Sequence, residues 1–433
     1  MDKRYLKIYS SQNDYENNWL NDLEEPHVVL LSDNETVIYK SKEEKEIDYS
    51  TQYFTLEAIE DTEFSFTIGT GLELPFENDI CFYSVDDCQT WNELAENTAT
   101  PTIKQGEKIS FKGTYKNDTS SSCKFTSTSK FNVYGNAMSL IYGDDFIGQT
   151  NLEGKDYCFD SLFFQNTNLL SAENLILPAT TLAERCYNMM FYGCTSLTTA
   201  PELPATTLAI SCYIQMFSNC TSLTTAPELP ATTLASSCYQ GMFYNCTSLT
   251  IAPELLATTL AEWCYIYMFQ GCTSLTTAPE LPATTLAISC YSSMFQGCTS
   301  LTTAPELPAT TLSNNCYQGM FYKCTELTTA PELPATTLAI GCYQSMFYNC
   351  TSLTTAPELL ATTLTSDCYD YMFNGCSKLN YIKALFTTKP SITYTFNWVN
   401  GVASNGTFVK NANATWDVTG NNGIPNGWTV ETA

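Results

Sequence analysis

The residues most able to take part in chemistry are cysteines, which occur in pairs at a fixed spacing. A Cys-Tyr dipeptide returns every 26 residues from Cys186 to Cys368, and a second cysteine follows each by eight positions, from Cys194 to Cys376. Eight helical residues span about 12 Å, whereas a disulfide joins Cα atoms about 4.4–6.8 Å apart, and Cys-x7-Cys is not a zinc spacing. We therefore expect each thiol to be a small buried side chain in a ladder.

A glutamate also recurs at one position of this period. Stacked copies would place the carboxylates about 5 Å apart, where their combined charge attracts cations. The row predicts weak binding of Ca²⁺ or Mg²⁺; the simpler alternative is a solvated negative edge that discourages aggregation. Its members are Glu202, Glu228, Glu254, Glu280, Glu306, Glu332 and Glu358.

Catalytic groups are scarce. The only histidine is His27, in an acidic segment, so no Ser-His-Asp or Cys-His arrangement can be assembled. No glycine-rich phosphate loop follows a strand-like run. Paired carboxylates of the glycosidase kind could occur among the 45 acidic residues, but nothing singles out a pair. The sequence predicts a protein that is not an enzyme and has no cofactor beyond a weakly bound cation.

The element that must position these residues is the 26-residue repeat, present in eight near-identical copies after an older unit at Cys158 in which Asn166 replaces the second cysteine. On a helix, the constant residues of CYxxMFxxC share one face and the variable residues share the other. The remainder, TSLTTAPELPATTLA, suits a strand and turns. One copy buries too little apolar surface to fold alone, so the copies must stack as a solenoid. Strands lie about 4.8 Å apart and helices about 10 Å apart, which predicts a curved solenoid.

The variable face of the predicted helix carries aromatic side chains, which suit contact with a glycan or a protein. Scattered surface aromatics also occur without any ligand, and that alternative stays open. The candidate binding residues are Tyr192, Trp263, Tyr267, Tyr322, Tyr348 and Tyr371.

Composition limits the partners. The net charge is −26, from 45 acidic and 19 basic residues, and Lys323 is the only basic residue between Cys186 and Cys376. Nucleic acid requires a basic footprint, so we expect no nucleic-acid partner. The chain has no 18-residue apolar run, so we expect no membrane insertion.

The pattern divides the chain into four regions. Residues 1–50 are an acidic segment with the strand-like runs YLKIY, HVVLL and TVIYK, and residues 51–142 are predicted to form a β-sandwich. The solenoid with its N-terminal cap follows at 143–384, and a β-rich C-terminal cap at 385–433, where the 26-residue period fails. Within the second region, Ser84, Asp86, Thr90 and Trp91 match the S-x-D-x-G-x-T-W hairpin called the Asp-box, with Cys88 in place of glycine. One imperfect copy predicts a stabilised turn. The three tryptophans of the last region suggest the core of a cap or, alternatively, a platform for sugar rings.

The L-x-x-A-P-x-L-P-x-T-x-L and C-Y-x-x-M-F-x-x-C-T-S-L patterns, from about Cys158 to Leu385, strongly resemble the BspA-type leucine-rich repeats of gut-bacterial surface proteins and of phage proteins from the same environment. The resemblance implies a leucine-rich-repeat horseshoe and an adhesive, non-enzymatic role. YLKIYSSQNDY, EEPHVVLL and TVIYK look like the opening module of phage-associated proteins that carry such repeats. That likeness implies an attachment end, whereas a strand pair completing the next domain is the alternative.

The N-terminus lacks the apolar core of a secretory signal. Either a signal has been removed or the protein leaves the cell by another route, and we favour the second, a phage protein released by lysis. We therefore expect a structural component on the virion surface, such as a head or tail fibre. It would be a homo-oligomer that contacts other virion proteins through its N-terminal region and binds host polysaccharide or an envelope protein. The alternatives are a repeat adhesin on the bacterial cell surface and a purely architectural capsid decoration.

Overall fold

The structure is a computed structural model in which the chain divides into two compact units, Met1–Asp48 and Tyr49–Ala433. The residues described are 5–9, 27–31, 37–40, 48–67, 81–95, 98–114 and 124–433. The first unit has three strands: β1 (Tyr5–Tyr9), β2 (His27–Leu31) and β3 (Val37–Lys40). Strand β2 pairs in parallel with β1 and antiparallel with β3. The three strand-like runs predicted in this segment are confirmed as strands.

The second unit begins with two sheets. Their strands are β4 (Phe54–Ala58), β5 (Phe64–Thr67), β6 (Cys81–Ser84), β7 (Asn92–Leu94), β8 (Lys108–Gly113), β9 (Lys124–Ser127), β10 (Phe131–Asn136) and β11 (Leu169–Ile176). The larger sheet has the order β11-β10-β4-β8-β6-β7, and the smaller sheet pairs β5 with β9. One short helix, α1 (Ser139–Tyr142), follows β10. The larger sheet takes β11 from the first repeat unit, so these strands do not form the separate sandwich expected at 51–142.

The two sheets together cover the apolar edge of the first repeat unit. The Phe163 ring lies 6.0 Å from Phe54 and 6.1 Å from Phe125, between centroids. The side-chain amide of Asn166 donates a hydrogen bond to the main-chain oxygen of Phe125 at 3.2 Å. Capping of the solenoid is therefore performed by β4, β9 and β10, together with the segment from residue 143 that the sequence indicated, where Asn151 bridges Thr181.

The segment predicted as a helix in each copy is a series of tight turns, and residues 177–380 contain no helix. Alternate N–H groups bond to the carbonyl three residues earlier, as from Met190 to Tyr187 at 3.3 Å. The intervening N–H groups bond to the next copy, as from Tyr187 to Cys212 at 3.0 Å. The helix prediction is wrong because CYxxMFxxC has a period of four, which a helix of 3.6 residues per turn imitates over so short a stretch.

The extended part of each copy makes isolated parallel bridges rather than strands. Bridges join Thr277 to Thr303 and Thr303 to Thr329, one repeat apart. The A-P-E-L-P stretch that follows carries prolines, which lack the N–H group that a ladder needs. The strand predicted in each copy is therefore only an isolated bridge. The parallel stacking of the copies agrees with the predicted solenoid.

The core consists of side-chain ladders along the stack. The ring of Phe159 and the tyrosine rings from Tyr187 to Tyr369 stack one on the next, with neighbouring centroids 5.5–6.1 Å apart. Phenylalanine rings from Phe163 to Phe373 stack at 5.3–5.8 Å. All sixteen repeat cysteines are buried free thiols, as the ladder interpretation predicts. Offset aromatic stacking of this kind adds to the free energy gained by burial.

The backbone period continues past Cys376, although the sequence motif ends there. Phe373 N–H bonds to the Trp398 carbonyl at 2.8 Å, as Phe does to Met in earlier copies. Strands β12 (Tyr381–Ala384), β13 (Thr407–Lys410) and β14 (Thr429–Thr432) form a parallel sheet in that order. Trp398, Trp416 and Trp428 are buried, and each indole N–H donates to a main-chain carbonyl. These tryptophans are core residues, so the sugar-platform alternative is wrong.

Candidate functional site

The turn segments place a variable surface on one side of the stack, which we call the turn face. It consists of the residues at positions −1, +2, +3, +6 and +7 relative to the first cysteine of each copy. In every copy from Cys186 to Cys368, the residues at −1, +3 and +7 have φ between 50° and 78°. Positive φ is required at the third residue of a type II turn. Glycine, asparagine and serine dominate these positions.

Two bulky residues occupy such positions in adjacent turns of one copy. Trp263 has φ of 55° and Tyr267 has φ of 59°, and their side chains are 42% and 38% exposed. A left-handed conformation costs a residue with a Cβ atom about 1–2 kcal/mol, and bulky residues adopt it rarely. Most other copies place serine, glycine, asparagine or aspartate at these positions, although larger residues recur at Arg185, Met189, Gln215 and Tyr371. Strain that is retained where smaller residues fit is a pointer to function.

The other predicted aromatic residues are half-buried and pack against neighbours. Tyr192 stacks on Phe164 at 5.0 Å, and Tyr322 stacks on Tyr348 at 4.6 Å between centroids. Tyr371 meets Phe396 edge to face at 5.2 Å. The structure therefore does not gather the six candidates into one site, and their role in binding stays a prediction.

A groove on the turn face crosses four consecutive copies and encloses about 520 Å³. We call it the glutamine groove. Of the six aromatic candidates only Tyr267 lines it. The other lining residues were not identified from the sequence. The signal that could have indicated them is a glutamine on the turn face in each of four successive copies. The lining is Gln215, Gln240, Gly241, Tyr244, Tyr267, Gln270, Ser293 and Gln296.

The glutamate row lies in solvent as the sequence predicted, and all seven side chains are exposed. At its end, Glu358 Oε1 lies 2.9 Å from Lys383 Nζ. Within the described residues, no group of three or more His, Cys, Asp or Glu side chains is placed to share a metal ion. Cation binding along this row stays a prediction, and the geometry adds no support to it.

The Asp-box-like hairpin forms the predicted stabilised turn. Asp86 accepts hydrogen bonds from the Thr90 hydroxyl at 2.6 Å, the Thr90 N–H at 2.9 Å and the Ser84 hydroxyl at 2.7 Å. These bonds, led by that of the Thr90 hydroxyl, lower the pKa of Asp86 to about 2. Cys88, at the glycine position, has φ of 65°.

A second cavity, of about 410 Å³, lies beside this hairpin. Lys112 Nζ contacts Asp144 at 2.7 Å and lies 4.4 Å from the Trp91 ring centroid. The charge of Lys112 is thus already matched within the protein. The cavity extends to Thr114, where the described segment ends.

The arrangement is a stack of turn-and-bridge units with a constant aromatic core and a variable outer face, which defines a leucine-rich-repeat-like solenoid. The model of the BspA type leucine rich repeat region matches residues 156–262 and 264–400, with six copies. These ranges cover more than half of the chain, so the protein belongs to the BspA-type leucine-rich repeat family. No curated protein matches the chain. Among the described residues, none of the helices has the length and apolar character needed to cross a bilayer.

Proposed function

We propose that the protein is a non-enzymatic attachment protein that uses the turn face to bind a surface glycan or envelope protein. The observation that carries this proposal is the separation of constant and variable residues. Cysteine, tyrosine, methionine and phenylalanine are constant and buried, whereas the turn face varies and keeps strained, exposed aromatics at Trp263 and Tyr267. A family associated with surface adhesion agrees with this separation. Repeated weak contacts along the stacked copies would supply avidity.

We further propose that this surface is carried on a phage virion, as a head or tail fibre. The likeness of the first 50 residues to phage-associated opening modules supports this location. In this arrangement the N-terminal region contacts other virion proteins, and a homo-oligomer displays the solenoids outward.

A bacterial cell-surface adhesin is the second candidate, and membership of the BspA-type family favours it. An architectural capsid decoration without a receptor is a third. The deciding experiment is an immunoblot of the producing culture, divided into purified virions and washed cell envelopes, followed by binding of the labelled protein to intact cells. A band with the virions and saturable cell binding supports the fibre. A band only in the envelopes would leave the adhesin, and virion association without cell binding would leave the decoration.

A further inference from the structure

We propose that the glutamine groove binds a neutral polysaccharide chain lying along the stack. This proposal rests on the proposed attachment function and names the ligand class of its turn face. The lining contains four glutamines, two tyrosines, a serine and a glycine, and no acidic or basic side chain. Such a lining offers hydrogen bonds without net charge.

The glutamine side chains are available to a ligand. Those at 215, 240, 270 and 296 are half-buried, and within the described chain their amides make no hydrogen bond to another residue. Gln318 and Gln344 differ, because the Gln318 amide donates to Gln344 Oε1 at 2.6 Å. Each open amide can donate two hydrogen bonds and accept two, which suits hydroxyl groups that both donate and accept.

The tyrosines provide the apolar part of the site. Tyr244 and Tyr267 lie on neighbouring copies and both line the groove, and Tyr267 has the left-handed backbone conformation, with φ of 59°. Flat rings with a polar tip suit ligands that are apolar on one face and hydroxylated at the edge. Gly241, at the position equivalent to Tyr267 one copy earlier, has no side chain, and the Gln215 side chain packs over it, so that a Cβ atom there would lie 3.2 Å from Gln215 Cγ.

The charge of the protein and the length of the groove narrow the class of ligand. With a net charge of −26 and no basic group in the lining, the protein repels anionic chains. Four copies at roughly 5 Å per copy give a path of roughly 15 Å between the first and the last, which accommodates a short run of sugar units. A protein ligand fits less well, because the buried centre of a protein interface is typically more apolar than this mainly polar lining.

The test is native affinity electrophoresis of the full chain in gels that contain a neutral polysaccharide (dextran, mannan, galactomannan or xyloglucan) or an anionic one (alginate or polygalacturonate). We expect at least one neutral polymer, and neither anionic polymer, to retard the protein. Tyr267→Gly and the double variant Gln240→Ala/Gln270→Ala should lower the apparent affinity on the order of tenfold. Glycine occurs at the position of Tyr267 in other copies, so that variant is expected to fold.

Matched controls lie in the later copies. Ser345→Gly makes a change to glycine at the same repeat position as Tyr267, with φ of 56°, outside the groove. Gln318→Ala/Gln344→Ala removes the paired amides. Both controls should retain wild-type retardation. Retardation by anionic polymers only, by no neutral polymer, or equally in groove and control variants would overturn the proposal. Cell binding that protease treatment of the cells abolishes, without retardation by polysaccharide, would leave the attachment function standing with a protein ligand.

Discussion

The thiol of Cys272 donates a hydrogen bond to the main-chain oxygen of Phe243 at 3.1 Å, across 29 residues. The same bond, at 2.9–3.1 Å, is made by the second cysteine of every copy from Cys194 to Cys376. In the older unit Asn166 donates to Phe125 in its place. The second cysteine is therefore both a small core side chain and a donor that joins consecutive copies.

Removing this thiol donor should destabilise the folded protein more than removing an equally buried thiol that lacks the bond. Cys272 and Cys264 are both fully buried in the same copy. Cys272→Ala should lower the free energy of unfolding by about 0.5 kcal/mol more than Cys264→Ala does, because the Phe243 carbonyl keeps the Cys246 N–H at 3.1 Å but loses its second donor. Urea denaturation of the two variants measures the difference. Equal losses would show that the bond adds nothing to stability.

The repeat thiols should resist alkylation in the folded protein. Burial raises the pKa of the Cys246 and Cys298 thiols to about 12, and only the thiolate reacts quickly. Among the described cysteines, Cys88 alone is not fully buried. Partial burial also raises the pKa of the Cys88 thiol, so its reaction should be slow. Peptide mass spectrometry after prolonged iodoacetamide treatment at pH 8 should find Cys88 modified and the sixteen repeat cysteines unmodified until guanidinium is added. Rapid modification of a repeat cysteine without denaturant would contradict the buried ladder.

Replacing the strained cysteine of the Asp-box-like turn should stabilise the protein. Cys88 has φ of 65°, where glycine avoids a cost of about 1 kcal/mol. Cys88→Gly should therefore raise the melting temperature. Gln89→Gly is the control, because it adds unfolded-state entropy without relieving positive φ and should lower the melting temperature. Shifts of the same sign in both variants would argue against strain at Cys88.

Asp370 should make stability fall as pH rises from about 4 to above 6. Its carboxylate is 6% exposed and accepts a hydrogen bond from Phe396 N–H at 2.7 Å. Burial is the main cause that raises its pKa from 3.8 to about 6. The folded state thus holds the proton more tightly than the unfolded state, and this favourable contribution is lost once the folded carboxyl ionises.

Asp370→Asn keeps an acceptor for the Phe396 N–H and removes the charge. It should raise the free energy of unfolding by about 1–2 kcal/mol at pH 7.5, which is less than the full pKa shift implies because the asparagine amide also loses hydration when it is buried. At pH 4 the effect should be small, since the wild-type carboxyl is then largely protonated in the folded state. Urea titrations at the two pH values test this, and a pH-independent difference would exclude ionisation as the cause.

The sequence by itself determined the stacking and the core. Constant residues at a 26-residue period, such as Cys272 and Phe243, can bury their apolar surface only against the equivalent residues of neighbouring copies. Burial of the thiols, exposure of the glutamates and the hydrogen-bonded turn at Asp86 followed from local chemistry. These features depend on which residue types recur and at what spacing.

Only the tertiary structure decided the conformation of CYxxMFxxC, the composition of the groove and the end of the stack. The buried pattern of Cys186 and Met190 fits a helix and a four-residue turn series equally well, and hydrogen bonds to the next copy select the turns. Gln215 and Gln296 lie 81 positions apart in the sequence yet line one groove, because stacking brings equivalent positions together. Trp398 continues the period without the motif, since a large ring can fill the same core space.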